Sequence, residues 1–526
     1  MAGMIVGKFV SADLDLSGAV SFLPLKTKAG REYAYKRFDL PVSSPTEILS
    51  IQKPIIDIRK RLRKDANLES ELDTIFQELE TSELAVNEIT HFQEVDKRIT
   101  ETTDQIYWKS NSYGGFLNTW GLVLEMILLW KTILSPGFAL LTPLLVVVLP
   151  YILLHTIFHI DIPVQEYLKL LQKMVLSNVP KMPFAKESSG LGDITKYAYL
   201  AMSVGVFLSN IWNQVQAALH LRTVAADVRD RGTQLLNYVH ACKKLATLLN
   251  SNEGLACSEE VQFTEETTAL GAYGMMLNES RALARLRAWV AEIDLQVACA
   301  KLKGICFPRP LKRDTFHLSI KGLYHPGVPA GKRILNDFEL DSKPHILLTG
   351  PNRGGKSTML KSVGLSIMTA QTWGIAWAKS MDFVPVAHFE TALSPADTLG
   401  RLSLFEAEIE FAKQILAMAN QANADREHTP SFVLMDEIFH STNAHDGAEA
   451  SLIFLNQLYD MSNGKTGSLI STHYRELPTK LSDRILTFCM EAFDKNERLE
   501  YTYRCVPGVS SLSSVREILK ERGLLK

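Results

Sequence analysis

The chain has 526 residues, 46% hydrophobic and 22% charged, the make-up of a folded protein, which excludes a disordered one. That length is more than one compact core holds and predicts two to four units. A net charge of −2 and a pI near 6.7 exclude a global pull towards nucleic acid or an acidic membrane, so any such binding rests on local patches.

Residues 1–45 predict a short N-terminal segment of β-like character, closed by Ser43, Ser44 and Pro45. The opening "MAGMIVGKFVSADLDLSG" has no basic start and no long apolar core, so no signal peptide is expected. The six cysteines (Cys242, Cys257, Cys299, Cys306, Cys489, Cys505) form no CxxC pair and have no His at zinc spacing. They predict free thiols in a reducing, intracellular compartment. Residues 46–113 carry a helical period, with Leu72, Ile75, Phe76 and Leu79 on one face, and predict long solvated helices. The basic run "RKRLRK" (Arg59–Lys64) reads either as a solvated helix face or as a contact for DNA phosphates or an anionic surface. No aromatic residue interleaves it, so nothing there suggests stacking on a single strand.

Residues 114–213 differ in kind. Between Gly114 and Phe158 only Glu125 and Lys131 are charged, and a second apolar patch runs from Tyr197 to Trp212. As a helix, Thr132–Phe158 would extend about 40 Å, against roughly 30 Å for a bilayer core. Trp120, Trp130 and Tyr151 suit membrane interfaces, and Pro136, Pro143 and Pro150 predict kinks. Glu125 and Lys131 count against a span beginning at Gly121. Two readings stand: a transmembrane or re-entrant segment within 116–158, making the protein membrane-associated, and a buried helical hairpin in a dimer-stabilised core. Residues 214–303 return to charged helical patterns (Val224, Val228, Leu235, Val239; then Leu283, Leu286, Val290, Ile293) and predict a second arm beside the first. In 304–526 the strand-like runs "HILLTG", "SFVLMDE" and "GSLIST" alternate with helices, which predicts a parallel sheet with crossover helices.

The chemistry concentrates in that last part. Gly350-x4-Gly355-Lys356-Ser357 follows a strand and precedes a helix, as a P-loop does. Residues Gly350, Pro351, Asn352, Arg353, Gly354, Gly355, Lys356, Ser357 and Thr358 are therefore expected to bind ATP, with backbone N–H groups around the phosphates. Lys356 is expected at the β- and γ-phosphates, and Ser357 at Mg²⁺. The apolar run Phe432–Met435 ends in Asp436, a candidate Mg²⁺ ligand, and Glu437, a candidate for polarising the attacking water. His473 ends the third strand and is the candidate partner of the γ-phosphate or the water. Ser403 opens a capping box with Glu406; it either caps its own helix or faces a γ-phosphate held by another subunit.

Taken together, these motifs resemble the MutS family. "TGPNRGGKST" is similar to that family's TGPNMGGKST, with Arg353 for Met; "LSLFEAE" to STFMxE; "DEIFHSTNAHDG" to DExGRGTSTxDG; "STHYREL" to ATHYxEL. "AEIDLQVACAKLKGICFPRP", "HPG", "NDFEL" and "YRCVPGVSSLSSVREILKERGLL" resemble flanking segments in the same order, so the likeness covers Ala291–Leu525. It implies an ABC-type α/β P-loop ATPase domain at 304–526 that hydrolyses ATP with Mg²⁺ as a homodimer with composite sites, Ser403 completing the partner's site. It also implies that 46–113 and 214–303 are levers on DNA, in mismatch repair or recombination. The alternative is a membrane-tethered ATPase with no mismatch role. Departures bear on this choice. Phe439 and Ser441 replace the glycines of GRG, residues 1–45 are too short for a mismatch-recognition domain, and "FQE" (Phe92–Glu94) and "FETA" (from Phe389) read as chance matches to Phe-x-Glu.

Overall fold

His345–Thr349, five consecutive buried residues, forms a strand covered on both faces, and this strand is the axis of the sheet that carries the candidate site. The computed structural model describes residues 3–90, 103–108, 115–177, 191–278, 280–393, 404–424, 430–495 and 498–524. Eleven strands are described: β1 (Ile5–Val6), β2 (Arg309–Pro310), β3 (Leu318–Leu323), β4 (Asn336–Leu340), β5 (His345–Thr349), β6 (Ser380–Phe383), β7 (His388–Ala392), β8 (Ser431–Met435), β9 (Thr466–Ser471), β10 (Leu486–Lys495) and β11 (Arg498–Pro507). The main sheet has the order β1-β7-β8-β9-β5-β10-β11, parallel except for the β10–β11 hairpin, and a smaller sheet has the order β2-β6-β3-β4. Crossover helices Lys356–Thr372 and Ala444–Ser462 connect the parallel strands. β5, β8 and β9 are buried throughout and end side by side, so the loops after them converge.

The chain forms two compact units, Met1–Gln77 with Arg287–Lys526, and Glu78–Leu286. Both boundaries fall inside helices, Leu68–Thr90 and Arg281–Lys301.

The first unit corrects the expectation of a β-like N-terminal segment. Only Ile5–Val6 is strand, paired in parallel with β7 at the sheet edge; the rest is short helices, Val10–Asp13, Leu16–Ala19 and Lys28–Lys36. These pieces bury Val10, Leu14, Leu16 and Ala34 against the ATPase-like fold. Asp13 accepts hydrogen bonds from Thr391 Oγ1 (2.7 Å) and the Leu393 N–H (3.0 Å), and Asp294 accepts from the N–H (2.8 Å) and hydroxyl (2.7 Å) of Thr27. The basic run is also partly accounted for: Arg59 Nε donates to the Ala300 carbonyl (3.0 Å), and its guanidinium lies over Phe307. Arg59 thus closes the C-terminal end of Arg281–Lys301, where a cation meets the helix dipole favourably.

The second unit is organised along one helix of 59 residues, Leu191–Leu249. Its Lys244 pairs with Glu78 (3.1 Å), Arg231 with Glu88 (3.2 Å) and Arg229 with Glu125. Helix Ala269–Asn278 packs closely at Gly232, where any Cβ would meet the Ala269 carbonyl. A second continuous helical run, Gly121–Thr156, includes a π-helical turn at Trp130–Leu134. Leu124 and Leu128 are buried, but among the described side chains from Leu129 to Ile160 none is. Within this chain nothing among the described residues covers these side chains.

Candidate nucleotide site

The loop after β5 turns through left-handed backbone at Gly350, Arg353 and Gly355, and helix Lys356–Thr372 starts directly after it. Gly350 and Gly355 suit such angles because they carry no Cβ; Arg353 adopts φ +68° and pairs with Glu521 of the last described helix. Lys356 is buried, donates to the Gly350 carbonyl (3.1 Å) and lies 3.8 Å from Glu437 Oε1. Burial lowers its pKa, while Glu437 and Asp436 pull it back up. The Lys356 shift is thus opposite to what the pair alone would give, and desolvation of the ammonium decides it.

β8 brings Asp436 and Glu437 to the same place. Asp436 accepts hydrogen bonds from the Ser357 and Ser471 hydroxyls, so β5, β8 and β9 meet at one carboxylate. Ser357 and Asp436 together offer two hard oxygen donors at the helix start, a set that fits Mg²⁺. Glu437 sits at φ +54°, its N–H donates to Ser471 Oγ (3.1 Å), and its carboxylate is hydrogen-bonded to His473 Nε2. The His473 bond, with help from Lys356 and His440, holds the Glu437 pKa below the usual carboxylate range despite partial burial. Glu437 is therefore an ionised acceptor at neutral pH, as a water-orienting group must be.

Two cavities flank the loop, and Glu437 lines both. The larger, about 630 Å³, runs from Lys356 and Ser357 to an aromatic and apolar wall of Tyr324, Ile334 and Tyr503. Tyr324 is braced by the Arg333 guanidinium, 4.4 Å from its ring centre. The other, about 430 Å³, is polar and is bordered by Asn352, His473 and Ser513. The wall residues were not among the candidates from sequence; the only signal was that Tyr324 and Ile334 lie beside "HPG" and "NDFEL" and that Tyr503 opens "YRCVPGVSS". Among the candidates, Lys356, Ser357, Asp436, Glu437 and His473 come together. Ser403 lies outside the described residues, which resume at Leu404 with the helix Leu404–Ala424, and so does "FQE". Phe389 is a core residue of β7, stacked 6.1 Å from Phe432.

Comparison with known proteins decides the family. The family MutS domain V matches residues 346–521. This match and the MutS-named relatives support membership of the MutS family. It is 28% identical over 295 residues to the DNA mismatch repair protein MutS of Shouchella clausii, covering 54% of this chain and 32% of that protein. The corresponding protein of Lactobacillus delbrueckii subsp. bulgaricus is 29% identical over 317 residues, 57% of this chain and 35% of the relative. That of Ehrlichia ruminantium is 29% identical over 241 residues, 44% and 29%. The chain thus spans about a third of these MutS relatives. Domain V contains the P-loop, β8 and β9, whereas the described helices of 115–278 lie outside it.

Proposed function

We propose that this chain is a Mg²⁺-dependent ATP hydrolase of MutS type, working as a homodimer whose nucleotide state repositions the helical second unit. The observation that carries the reading is the meeting of Ser357, Asp436 and Ser471 beside the Lys356–Glu437–His473 cluster. The P-loop N–H groups and Lys356 bind the triphosphate, and the Tyr324–Ile334–Tyr503 wall takes the base. Ser357 and Asp436 would hold Mg²⁺, whose charge offsets that developing on the β- and γ-phosphates. Glu437, kept ionised, accepts a hydrogen bond from a water and aligns it with the γ-phosphorus, and His473 fixes the carboxylate. Ser403, just before helix Leu404–Ala424, serves the partner's γ-phosphate. The relatives are named as DNA mismatch repair proteins, and we extend repair-type or recombination-type work on duplex DNA to this chain. The test is phosphate release by the wild type and the Ser403→Ala and Lys356→Ala variants, alone and mixed. Composite sites predict that mixing the two inactive variants restores one working site per dimer; no recovery would refute the shared site. Duplex affinity that falls steeply with salt would support DNA as the load.

A second reading keeps the engine and makes it membrane-tethered, without a mismatch role. The exposed apolar helices of the second unit favour it.

A further inference from the structure

We propose that the second unit ends in a two-helix hairpin that crosses a lipid bilayer and returns the charges between its two apolar runs to water on the far side; this rests on the membrane-tethered reading. Two runs free of Asp, Glu, Lys and Arg stand in the unit: 29 residues from Thr132 to Ile160, and 25 from Tyr197 to Leu221. They fall on Ser135–Thr156 and on the outer part of Leu191–Leu249, two helices of the same unit that touch. At about 1.5 Å per residue each run matches a hydrocarbon core of roughly 30 Å. By length and composition Gly121–Thr142 qualifies as a membrane span, with only 11% of its most apolar window buried.

The occupant follows from where the apolar side chains point. A partner protein covers one face of a helix, and so does a second copy of the chain. Here Leu140, Leu144, Leu145, Val146, Leu149 and Pro150 are all exposed, and at about 100° per residue they fall on every side of the axis. Only a solvent that is itself apolar covers every side at once. Polar groups on the helix are satisfied internally, as hydrocarbon requires: the Thr142 hydroxyl donates to the Phe138 carbonyl (2.6 Å) and Thr156 to Ile152 (2.6 Å). The outer half of the long helix repeats the pattern, with Met202, Val204, Val206, Leu208 and Trp212 exposed.

The turn between the runs decides between crossing and dipping. Asp161, Glu166, Lys169, Lys173, Asp193 and Lys196 lie between the two apolar stretches. A re-entrant loop would hold these charges within the bilayer, whereas a full crossing returns them to water. Helix Val164–Ser177 puts Leu168 and Leu171 on one side and Lys169 and Lys173 on another, suiting the far interface. Residues 161–196 carry four acids against five lysines, a net charge of only +1, so retention depends mainly on hydrocarbon burial and is only weakly sensitive to salt.

The test uses the full chain in sealed membrane vesicles with the nucleotide-binding unit outward. Three results are expected: retention in the pellet through alkaline carbonate and 1 M salt, protection of Lys169 and Lys173 from added trypsin, and loss of that protection when detergent opens the vesicles. Leu145→Arg combined with Val206→Arg lowers retention at least about tenfold, because both charges would lie at bilayer depth. Binding of an ATP analogue by that variant separates loss of insertion from loss of fold. If wild type is extracted as a soluble oligomer, the membrane reading itself fails. If it stays in the pellet but trypsin cuts at Lys169 or Lys173 from outside, the tether stands and the crossing hairpin is overturned.

Discussion

Replacing Asp13 with Ala tests whether the first residues are part of the engine. Asp13 is buried and takes two hydrogen bonds, one from Thr391 on β7 and one from the Leu393 N–H, just before the stretch that holds Ser403. Thr391 can turn its hydroxyl elsewhere, but the Leu393 N–H cannot, so the variant loses two charge-assisted bonds and strands one donor. At about 1–3 kcal/mol for each bond, the expected loss is about 3 kcal/mol. The assay is native-state hydrogen exchange of the helix Lys356–Thr372, which reports the first unit directly. A loss of about 3 kcal/mol accelerates exchange through opening of the unit about 100-fold. Asp13→Asn keeps an acceptor oxygen and is expected to fall between the two. If exchange in Asp13→Ala rises less than about threefold, the N-terminal segment rides on the surface and the argument fails.

Three further outcomes are expected. Glu437→Gln lowers the rate of phosphate release about 10²–10⁴-fold while ATP affinity persists; unchanged turnover would remove Glu437 from the mechanism. His345 is buried between the Ser468 and Ser462 hydroxyls, each 3.0 Å away, and burial pushes its pKa down to about 3. The unfolded chain takes the proton more readily, so this stability is complete above about pH 6.5 and is lost as pH falls towards 3; at pH 5 the loss is about 2 kcal/mol. His345→Gln should flatten the fall in thermal midpoint between pH 7 and 5, and an unchanged slope would contradict the account. Phe439 holds φ +53° in a buried cluster with Phe405 and Phe454. Phe439→Gly relieves about 1 kcal/mol of backbone strain but forfeits about 3–5 kcal/mol of packing. Its thermal midpoint should drop, and a rise would show that the ring adds little.

What could be read from the sequence depended on how local the cause was. The phosphate loop was legible because its function needs a fixed run of glycines, lysine and serine between a strand and a helix. Asp436 and Glu437 were legible because they end a run of apolar strand residues, and His473 because it follows the third strand-like run, "GSLIST". Residues 1–45 were not, since helices of four to nine residues hold too few turns to show a period. Their order comes from β7, Thr391 and Asp294, all far away in sequence. The base-side wall was missed for the same reason: Tyr324 and Tyr503 meet only through the fold. The apolar runs were legible as composition, but the exposure of their side chains within one chain was not.

The replaced glycines raised a question about the loop after Glu437, and the contacts around it supply the answer. A glycine pair would leave that loop free to adopt left-handed angles at no steric cost. Here Phe439 adopts one anyway, anchored by its ring and by Tyr474, whose hydroxyl donates to the Phe439 carbonyl (2.7 Å). Ser441 donates to Glu408, and His440 Nδ1 lies 3.1 Å from Glu408 and 2.8 Å from the Glu437 carbonyl. Glu408 belongs to the helix that begins one residue after Ser403. Side chains therefore do what backbone freedom does elsewhere, and they tie the loop to that helix. If the proposed composite site holds, a displacement of helix Leu404–Ala424 by a partner's nucleotide has a short path, through Glu408 and His440, to the backbone at Glu437. Phe439 and Ser441 in place of glycines then stiffen that path, because each is tied by its own side chain.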